Sequence, residues 1–232
     1  KPDVLHHRRG DYRYVQAGIS YGGGQKAPAK MCNGHTAAHG RVAVHLLANH
    51  DIRRLAGQLA GYFALSAPRM FEYYVETLSD IVEQQPELTD AIPFDNAPWA
   101  AVTFNADLEV WTKTHCDHLN LAAGWCAIYA LGKFDHTKRG HLILHTFKLI
   151  LEFPPRSGFF IPSASVSHSN SRIRRDLGEW RSSITFYTAG GLFRFREYGF
   201  RTEKAFERQD PEGYRKMKEA RDKRWEEAIS LF

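Results

Sequence analysis

The chain has 232 residues and a formal net charge of +5, with 43% hydrophobic and 25% charged residues, an ordinary composition for a globular protein. This length allows a sizeable core, and we expect a single domain over residues 1–232. No stretch approaches the run of about 18 apolar residues that a membrane helix needs. The first thirty residues lack the apolar core of a signal peptide. We therefore expect an intracellular protein that does not contact a membrane.

The positive charge is concentrated in the N-terminal quarter. Residues 1–54 carry nine Lys and Arg against three Asp and Glu, whereas residues 55–200 carry thirteen against fifteen. Such an excess suits a polyanion such as nucleic acid, although many proteins of similar charge bind none. Nothing in the sequence indicates an obligate protein partner.

The cysteines argue against two small-protein scaffolds. Cys32, Cys116 and Cys126 are odd in number, have unpatterned spacing and include no CxxC pair. A disulfide framework or a zinc knuckle would need paired, regularly spaced cysteines. We expect three plain buried thiols.

The first hundred residues predict loop followed by helices. Residues 1–40 are rich in Gly, His and basic residues and predict loop with one short strand at most. Apolar residues recur at helical spacing over 41–64 and again from Pro68 to near Pro86. This spacing predicts two amphipathic helices that pack on the rest of the chain.

Between Trp99 and Thr188 the pattern changes to short β-rich runs separated by Gly, Pro, Asp, Asn and Lys. Many strands without intervening helices imply a sandwich, a barrel or a jelly roll. We predict an α+β fold whose core, residues 99–200, is a double-stranded β-helix (jelly roll, cupin-like). An N-terminal loop and helical part, residues 1–98, packs on it, and residues 201–232 form a charged C-terminal helix. The runs are AAVTF, LEVWT, WCAIYAL, HLILH, FKLILEF, GFFIP and RSSITFYT.

A His-x-Asp pair follows the predicted strand LEVWTKT. Residues 115 and 117 of one strand project to the same side, so His115 and Asp117 can share a metal. His168 follows the strand GFFIP, where a β-sandwich can return the chain beside the first two ligands. Two imidazoles and one carboxylate form a facial triad that leaves cis positions open on Fe(II), whereas zinc more often takes a closed site. We predict that these three residues are the metal ligands and the catalytic centre.

Polar residues on neighbouring strands suit a dicarboxylate co-substrate. Arg181 and Ser183 lie two apart on RSSITFYT and point the same way. A guanidinium fork with a hydroxyl matches the distal carboxylate of 2-oxoglutarate. Asn105, ten residues before His115, is a further candidate donor to this co-substrate, with dioxygen as the second co-substrate.

Each of these residues has a structural alternative when taken alone: a turn for Asp117, a satisfied loop histidine for His168, a surface ion pair for Arg181. The combination in this order and spacing favours the oxygenase interpretation. His141 and His145 share a face of one predicted strand and could suggest a second metal, although a sheet surface with two histidines usually holds none.

Three long stretches of the sequence match a known family: HCDHLNLAAGWCAIYALGKFD at 115–135, GHLILHTFKLILEFPPRSGFFIPSASVSHSN at 140–170 and RSSITFYTAGGLFRF at 181–195, and the GGGQ at 22–25 is also similar. They resemble the TET/JBP family of Fe(II)- and 2-oxoglutarate-dependent oxygenases, in particular the transposon-associated versions of mushroom-forming fungi. The chain has HCD where those relatives have HRD, and FDHTKRG where they have a Pro-containing turn; neither difference removes a ligand.

The resemblance implies oxidation of a methyl group on a DNA base, with 5-methylcytosine or thymine as first candidates, and hence a nuclear location. The base would be flipped from the duplex into the site. Candidate substrate contacts are Gly22, Gly23, Gly24, Asn120 and Arg172. For the three glycines, a tight turn is the alternative to a loop that approaches the substrate backbone. The rival functions are an oxygenase acting on 6-methyladenine, a protein or a small molecule, and a catalytically silent binding module of the same fold.

Overall fold

The fold combines helices with two antiparallel sheets and one short ribbon, in a computed structural model that describes residues 6–7, 9–31 and 37–232. The prediction for Cys32 falls outside these residues. The helices are α1 (Ala37–Ala48), α2 (His50–Ser66), α3 (Pro68–Gln84), α4 (Gly190–Glu197), α5 (Glu203–Gln209), α6 (Pro211–Glu219) and α7 (Arg224–Ile229), with 3-10 turns at Pro86–Ala91, His145–Phe147, Arg175–Leu177 and Ala220–Lys223. The strands are β1 (His6–His7), β2 (Gly10–Asp11), β3 (Tyr14–Ser20), β4 (Ala29–Lys30), β5 (Ala101–Asn105), β6 (Cys126–Lys133), β7 (Leu142–Leu144), β8 (Leu149–Leu151), β9 (Gly158–Ile161), β10 (His168–Asn170) and β11 (Trp180–Tyr187).

The N-terminal helices form where the apolar spacing predicts them, with one difference. The predicted helix over 41–64 is interrupted between α1 and α2, because the side chain of Asn49 accepts hydrogen bonds from the amides of Asp51 and Ile52. An Asn in this position begins a new helix. Pro68 occupies the first turn of α3, which suits its missing N–H, and α3 ends before Pro86 as predicted.

The larger sheet has six strands in the order β4-β3-β5-β11-β6-β9, and every pairing is antiparallel. Alternate residues of its central strands, such as Val102 and Phe186, pack with Phe63 and Met70 of α2 and α3 in the main apolar core. Because side chains alternate across a strand, the residues between them face the other side of the sheet. That second face carries four buried polar residues, Thr103, Asn105, Arg181 and Ser183.

The smaller sheet has three strands in the order β10-β7-β8. A second apolar cluster joins it to β6, with Ile128 and Ala130 of β6 packed near Leu142 and Leu144 of β7. The antiparallel sheets and the α+β class are as predicted. The two sheets stay open, however, and a jelly-roll core is not confirmed. The strands of the smaller sheet are only three residues long.

The predicted strand LEVWT is wrong. Asp107 accepts from the amide of Leu108 at a bend in the chain. The segment forms no strand and pairs with β11 as one isolated bridge between Glu109 and Arg181. HLILH is likewise shorter than predicted, since only Leu142–Leu144 is strand and a 3-10 turn follows.

Both ends of the chain also differ from prediction. The N-terminal segment holds the seven-residue strand β3 of the larger sheet. Gly18 interrupts the alternation of apolar and polar residues by which a strand is recognised in a sequence. Glycine is required at this position because a side chain would collide with the carbonyl of Ala100. The predicted C-terminal helix is broken into α5, α6 and α7, first at Pro211. No helix of the described residues is long and apolar enough to cross a membrane.

Candidate metal and co-substrate site

His115, Asp117 and His168 form a cluster in which one ligand atom from each residue lies within 4.8 Å of the others. The two histidines are buried and the carboxylate of Asp117 is half-buried. Nε2 of His115 lies 3.8 Å from Oδ1 of Asp117. No other group of three His, Cys, Asp or Glu side chains comes together in this way among the described residues, and His141 and His145 therefore gain no support as a second metal site.

The backbone brings the two histidines together. The amide of His115 donates to the carbonyl of His168 at 3.0 Å, and the amide of His168 donates back at 2.9 Å. This antiparallel bridge sets the ring centroids 4.3 Å apart. His115 lies in a loop and not, as the sequence predicted, at the end of a strand. The backbone bridge to β10, and not a strand, therefore holds His115 beside His168.

Both imidazoles present the same nitrogen to the cluster. Nδ1 of His115 lies 2.7 Å from the carbonyl of Lys113, and Nδ1 of His168 lies 2.8 Å from the carbonyl of Val166. A carbonyl only accepts, so Nδ1 carries the proton and Nε2 keeps its lone pair. Burial, and secondarily the neighbouring His168, lower the pKa of His115 to about 4. His115 is therefore uncharged at physiological pH, and the lone pair of Nε2 can bind a metal ion.

Asp117 lies on a loop that is anchored from two sides. Its amide donates to the carbonyl of Ser163 at 2.8 Å, and its carbonyl accepts from the amide of Asn120 at 2.9 Å. The side chain of Asn120 donates to Cys126 and Ser163, each at 3.2 Å. This network makes Asn120 a residue that fixes the loop, in addition to lining the cavity described below.

Arg181 is a buried cation without a carboxylate partner among the described residues. Its side chain is 1% exposed, and its one hydrogen bond runs from Nη1 to the carbonyl of Val110 at 2.8 Å. Nε and Nη2 are buried and unpaired. Burial lowers the pKa of Arg181 to about 10, so the guanidinium still carries its charge at neutral pH. Such a group is costly unless an anion binds it.

Ser183 and Asn105 lie beside Arg181 on the polar face of the larger sheet. They are direct cross-strand partners, and Nδ2 of Asn105 donates to Oγ of Ser183 at 3.0 Å. Oδ1 of Asn105 is buried and unpaired. The three candidate co-substrate residues therefore share one buried patch, with unpaired polar atoms at Arg181 and Asn105.

The N-terminal segment contributes two residues, Arg9 and Tyr12, that were not predicted from the sequence. Arg9 places Nη1 3.5 Å from Oδ1 of Asp117. Tyr12 is buried, and burial raises the pKa of its hydroxyl, with smaller effects from the nearby charges of Arg9, Asp117 and Arg181. Its isolated position in a Gly- and Arg-rich segment carries no periodic signal.

A cavity of about 550 Å³ opens beside Asp117. Three of the predicted substrate contacts, Gly22, Gly23 and Asn120, line it together with Arg9 and Tyr187. Gly24 is not part of the lining, although it adjoins Gly23. All three glycines have positive φ, and a side chain at any of them would meet open space.

Arg172 lies apart from this cavity. It is exposed, and its guanidinium stacks on the ring of Trp111 at 4.2 Å from the centroid. In the following loop, Arg174 is paired with Asp176 and Arg175 donates to the carbonyl of Glu179. The structure therefore does not bring Arg172 to the cluster.

The chain matches no family model and no curated protein. Among solved structures it is similar to NgTET1 in complex with 5mC DNA, with 13% sequence identity and a TM-score of 0.47. The similarity covers 77% of this chain and 61% of that one, so the chain spans about three fifths of the length of that protein. The interpretation of the site rests on its own residues.

Proposed function

We propose that the chain is an Fe(II)- and 2-oxoglutarate-dependent dioxygenase that oxidises the methyl group of a DNA base. The first candidate reaction is 5-methylcytosine to 5-hydroxymethylcytosine and beyond, with thymine as the other pyrimidine candidate. One observation carries the proposal: His115, Asp117 and His168 form a cluster, and a buried guanidinium with two unpaired nitrogens lies near enough that Asp117 and Arg181 both act electrostatically on Tyr12.

The donor set suits a metal with open coordination positions, such as non-haem Fe(II). His115, Asp117 and His168 offer two neutral nitrogens and one carboxylate oxygen, which is the set that non-haem Fe(II) oxygenases use with open positions for co-substrates. A structural zinc site would need a fourth protein ligand. No fourth His, Cys, Asp or Glu joins this cluster among the described residues.

The polar patch matches 2-oxoglutarate in charge and in hydrogen-bonding groups. Nε and Nη2 of Arg181 form one edge of the guanidinium, and a carboxylate can accept from both at once. Burial strengthens this ion pair because little water competes for either partner. Ser183 and Asn105 supply further polar atoms for the same dianion.

When bound, the metal and co-substrate would supply dioxygen activation coupled to decarboxylation of 2-oxoglutarate to succinate, with one oxygen atom delivered to a substrate C–H bond. The protein residues have separate tasks. Lys113 and Val166 hold the imidazoles in one tautomer through their carbonyls. Arg181 orients the co-substrate and its sheet excludes water around it.

The DNA part of the proposal rests on the sequence resemblance to the TET/JBP family and on the cavity beside Asp117. A volume of about 550 Å³ is of the order that small-molecule sites have, and is ample for one nucleobase. A base in duplex DNA reaches a recessed site only by flipping out of the stack. Gly22 and Gly23 at the cavity allow close approach of a nucleic-acid backbone, and a DNA substrate implies a nuclear location.

The test is product analysis with purified protein. The protein is loaded with Fe(II) without oxygen, then incubated in air with 2-oxoglutarate, ascorbate and duplex DNA that carries 5-methylcytosine, thymine or 6-methyladenine. Nucleoside mass spectrometry detects oxidised bases, and a second assay detects succinate. We expect a hydroxymethyl base that disappears in His115→Ala and Arg181→Ala. Succinate without an altered base would reject these DNA substrates, and absence of both would reject the oxygenase.

A further inference from the structure

Strand β8 leaves one edge of the smaller sheet open. In the part of the chain that the structure describes, β8 pairs with β7 and with no other strand. The apolar residues at this edge are exposed: Phe147 by 57%, Leu149 by 49% and Ile150 by 68%. An exposed apolar edge strand offers unpaired backbone groups and apolar side chains to a further strand.

The sequence of this edge is self-complementary in charge. Lys148 precedes the apolar triplet Leu149–Leu151 and Glu152 follows it. In an antiparallel pair of two such segments centred on Ile150, Leu149 faces Leu151 of the other copy. Lys148, a left-handed turn residue (φ 54) directly before the strand, then lies beside Glu152 of the other copy at each end, so the two-fold axis brings opposite charges together twice.

We propose that β8 pairs antiparallel with β8 of a second copy of this chain, which joins two three-stranded sheets into one of six strands. The contact has an apolar centre, Ile150 and Leu149, and a charged rim, Lys148 and Glu152. This is the arrangement that protein interfaces commonly have. Ile150 lies opposite the half-buried Ile143 on β7, so the apolar surface of the edge continues onto the neighbouring strand.

The charges favour a second copy over nucleic acid. A polyanion would meet the carboxylate of Glu152 next to the single cation of Lys148, whereas a second copy satisfies both. Glu152 already contacts His136, with 3.0 Å between Nδ1 and Oε2. A carboxylate accepts several hydrogen bonds, so Lys148 of the second copy can share it.

The proposal is independent of the metal site, and the test uses the full chain. Sedimentation velocity over a range of concentrations should show a reversible dimer. Ile150→Lys places two cations opposite each other at the centre and should abolish dimerisation. Ile229→Lys, a matched change at a residue 50% exposed on α7, should leave the dimer intact. Thermal unfolding with each variant at monomeric concentration checks that the fold is kept.

A charge-exchange cycle tests the register. Lys148→Glu alone and Glu152→Lys alone each place like charges at both rim pairs, and each should raise the dissociation constant about tenfold or more. The double variant restores opposite charges and should return the constant to near the wild-type value. A wild-type monomer at all concentrations up to about 1 mM would overturn the proposal. A dimer whose dissociation constant is unchanged by Ile150→Lys would overturn it as well, and so would single and double charge variants with equal effects. If the wild type is a monomer and Ile150→Lys lowers its affinity for DNA, this edge contacts nucleic acid and the proposal is overturned.

Discussion

His115 and His168 exchange two backbone hydrogen bonds, and their rings lie 4.3 Å apart at the centroids. The bridge joins a loop to β10 and brings both rings to Asp117, with Nε2 of His115 3.8 Å from Oδ1 of the carboxylate. Each Nδ1 is held by a carbonyl two residues earlier in the chain. Main-chain geometry therefore positions the two histidines of the cluster.

Loss of one imidazole should remove metal binding. In His168→Ala only two ligands remain, and we expect the affinity for Mn²⁺ or Co²⁺ to fall by at least about a hundredfold. Calorimetric titration of metal into the metal-free protein measures this. His50→Ala, at a histidine whose side chain is 82% exposed, is the control and should bind metal as the wild type does. Unchanged affinity in His168→Ala would contradict the assignment of the ligands.

Arg181 should lower the stability of the ligand-free protein. Its buried guanidinium has no anionic partner among the described residues. Arg181→Met, which keeps much of the volume without the charge, should therefore raise the free energy of unfolding by about 1–3 kcal/mol. Urea unfolding of the metal-free protein measures the difference. The matched variant Arg208→Met, at an exposed position of α5, should change stability little.

The same variant should lose its response to the co-substrate. With Mn²⁺ present, 2-oxoglutarate at about one hundred times its dissociation constant should stabilise the wild type by about 2.7 kcal/mol. Arg181→Met should gain almost nothing under the same conditions. A variant that is less stable than the wild type and still responds to 2-oxoglutarate would show that Arg181 has a structural role instead.

Asn120 connects the ligand loop to β6, and its loss should weaken the metal site. Asn120→Ala removes the donation to Cys126 and Ser163, which we expect to cost about 1 kcal/mol of stability. The loop that holds Asp117 then loosens, and metal affinity should fall several-fold. If Asn120 acts through the substrate alone, stability and metal affinity will stay unchanged while substrate affinity falls.

Glu179 should stabilise the loop before β11 in a pH-dependent way. Its carboxylate accepts from the amides of Asp135 and Arg174 and from the side chain of Arg139. Burial acts to raise the pKa of Glu179, but these hydrogen bonds together outweigh it and hold the pKa below its usual 4.5. The folded state therefore releases this proton more readily, and the stabilisation is present above pH 4.5 and lost as the pH falls through the lowered value.

Glu179→Gln should accordingly lower the melting temperature at pH 7. The difference from the wild type should shrink progressively as the pH falls below 4.5, which thermal unfolding at a series of pH values measures. Glu72→Gln, at an exposed position of α3, should show neither effect. A difference that is constant with pH would mean that the charge of Glu179 is not what stabilises the loop.

The sequence predicted what depends on local pattern. The apolar spacing of 68–84 and the alternation of 180–187 are strong, and both elements formed near the predicted bounds. The cluster of His115, Asp117 and His168 was also predicted, from residue type and order. Its geometry was not, because the bridge between His115 and His168 joins distant segments and leaves no periodic trace.

The features that were not predicted from the sequence have specific physical causes. Strand β3 was obscured by Gly18, whose close approach to Ala100 excludes a side chain. LEVWT is not a strand because the chain bends at Asp107, whose carboxylate accepts from the amide of Leu108. Arg9 and Tyr12 reach the site through the path of the N-terminal segment, and sequence spacing carries no information on such a path.

The most direct test of the central claim is 2-oxoglutarate binding to the Fe(II)-loaded wild type in the absence of oxygen. Chelation of ferrous iron by a 2-oxo acid gives a visible metal-to-ligand charge-transfer absorption, which requires the open positions that a facial triad leaves. We predict that this absorption appears on titration with 2-oxoglutarate, saturates at one equivalent per chain and is absent in His168→Ala. Its absence in iron-loaded wild-type protein that is folded would contradict the assignment of this site to iron and 2-oxoglutarate.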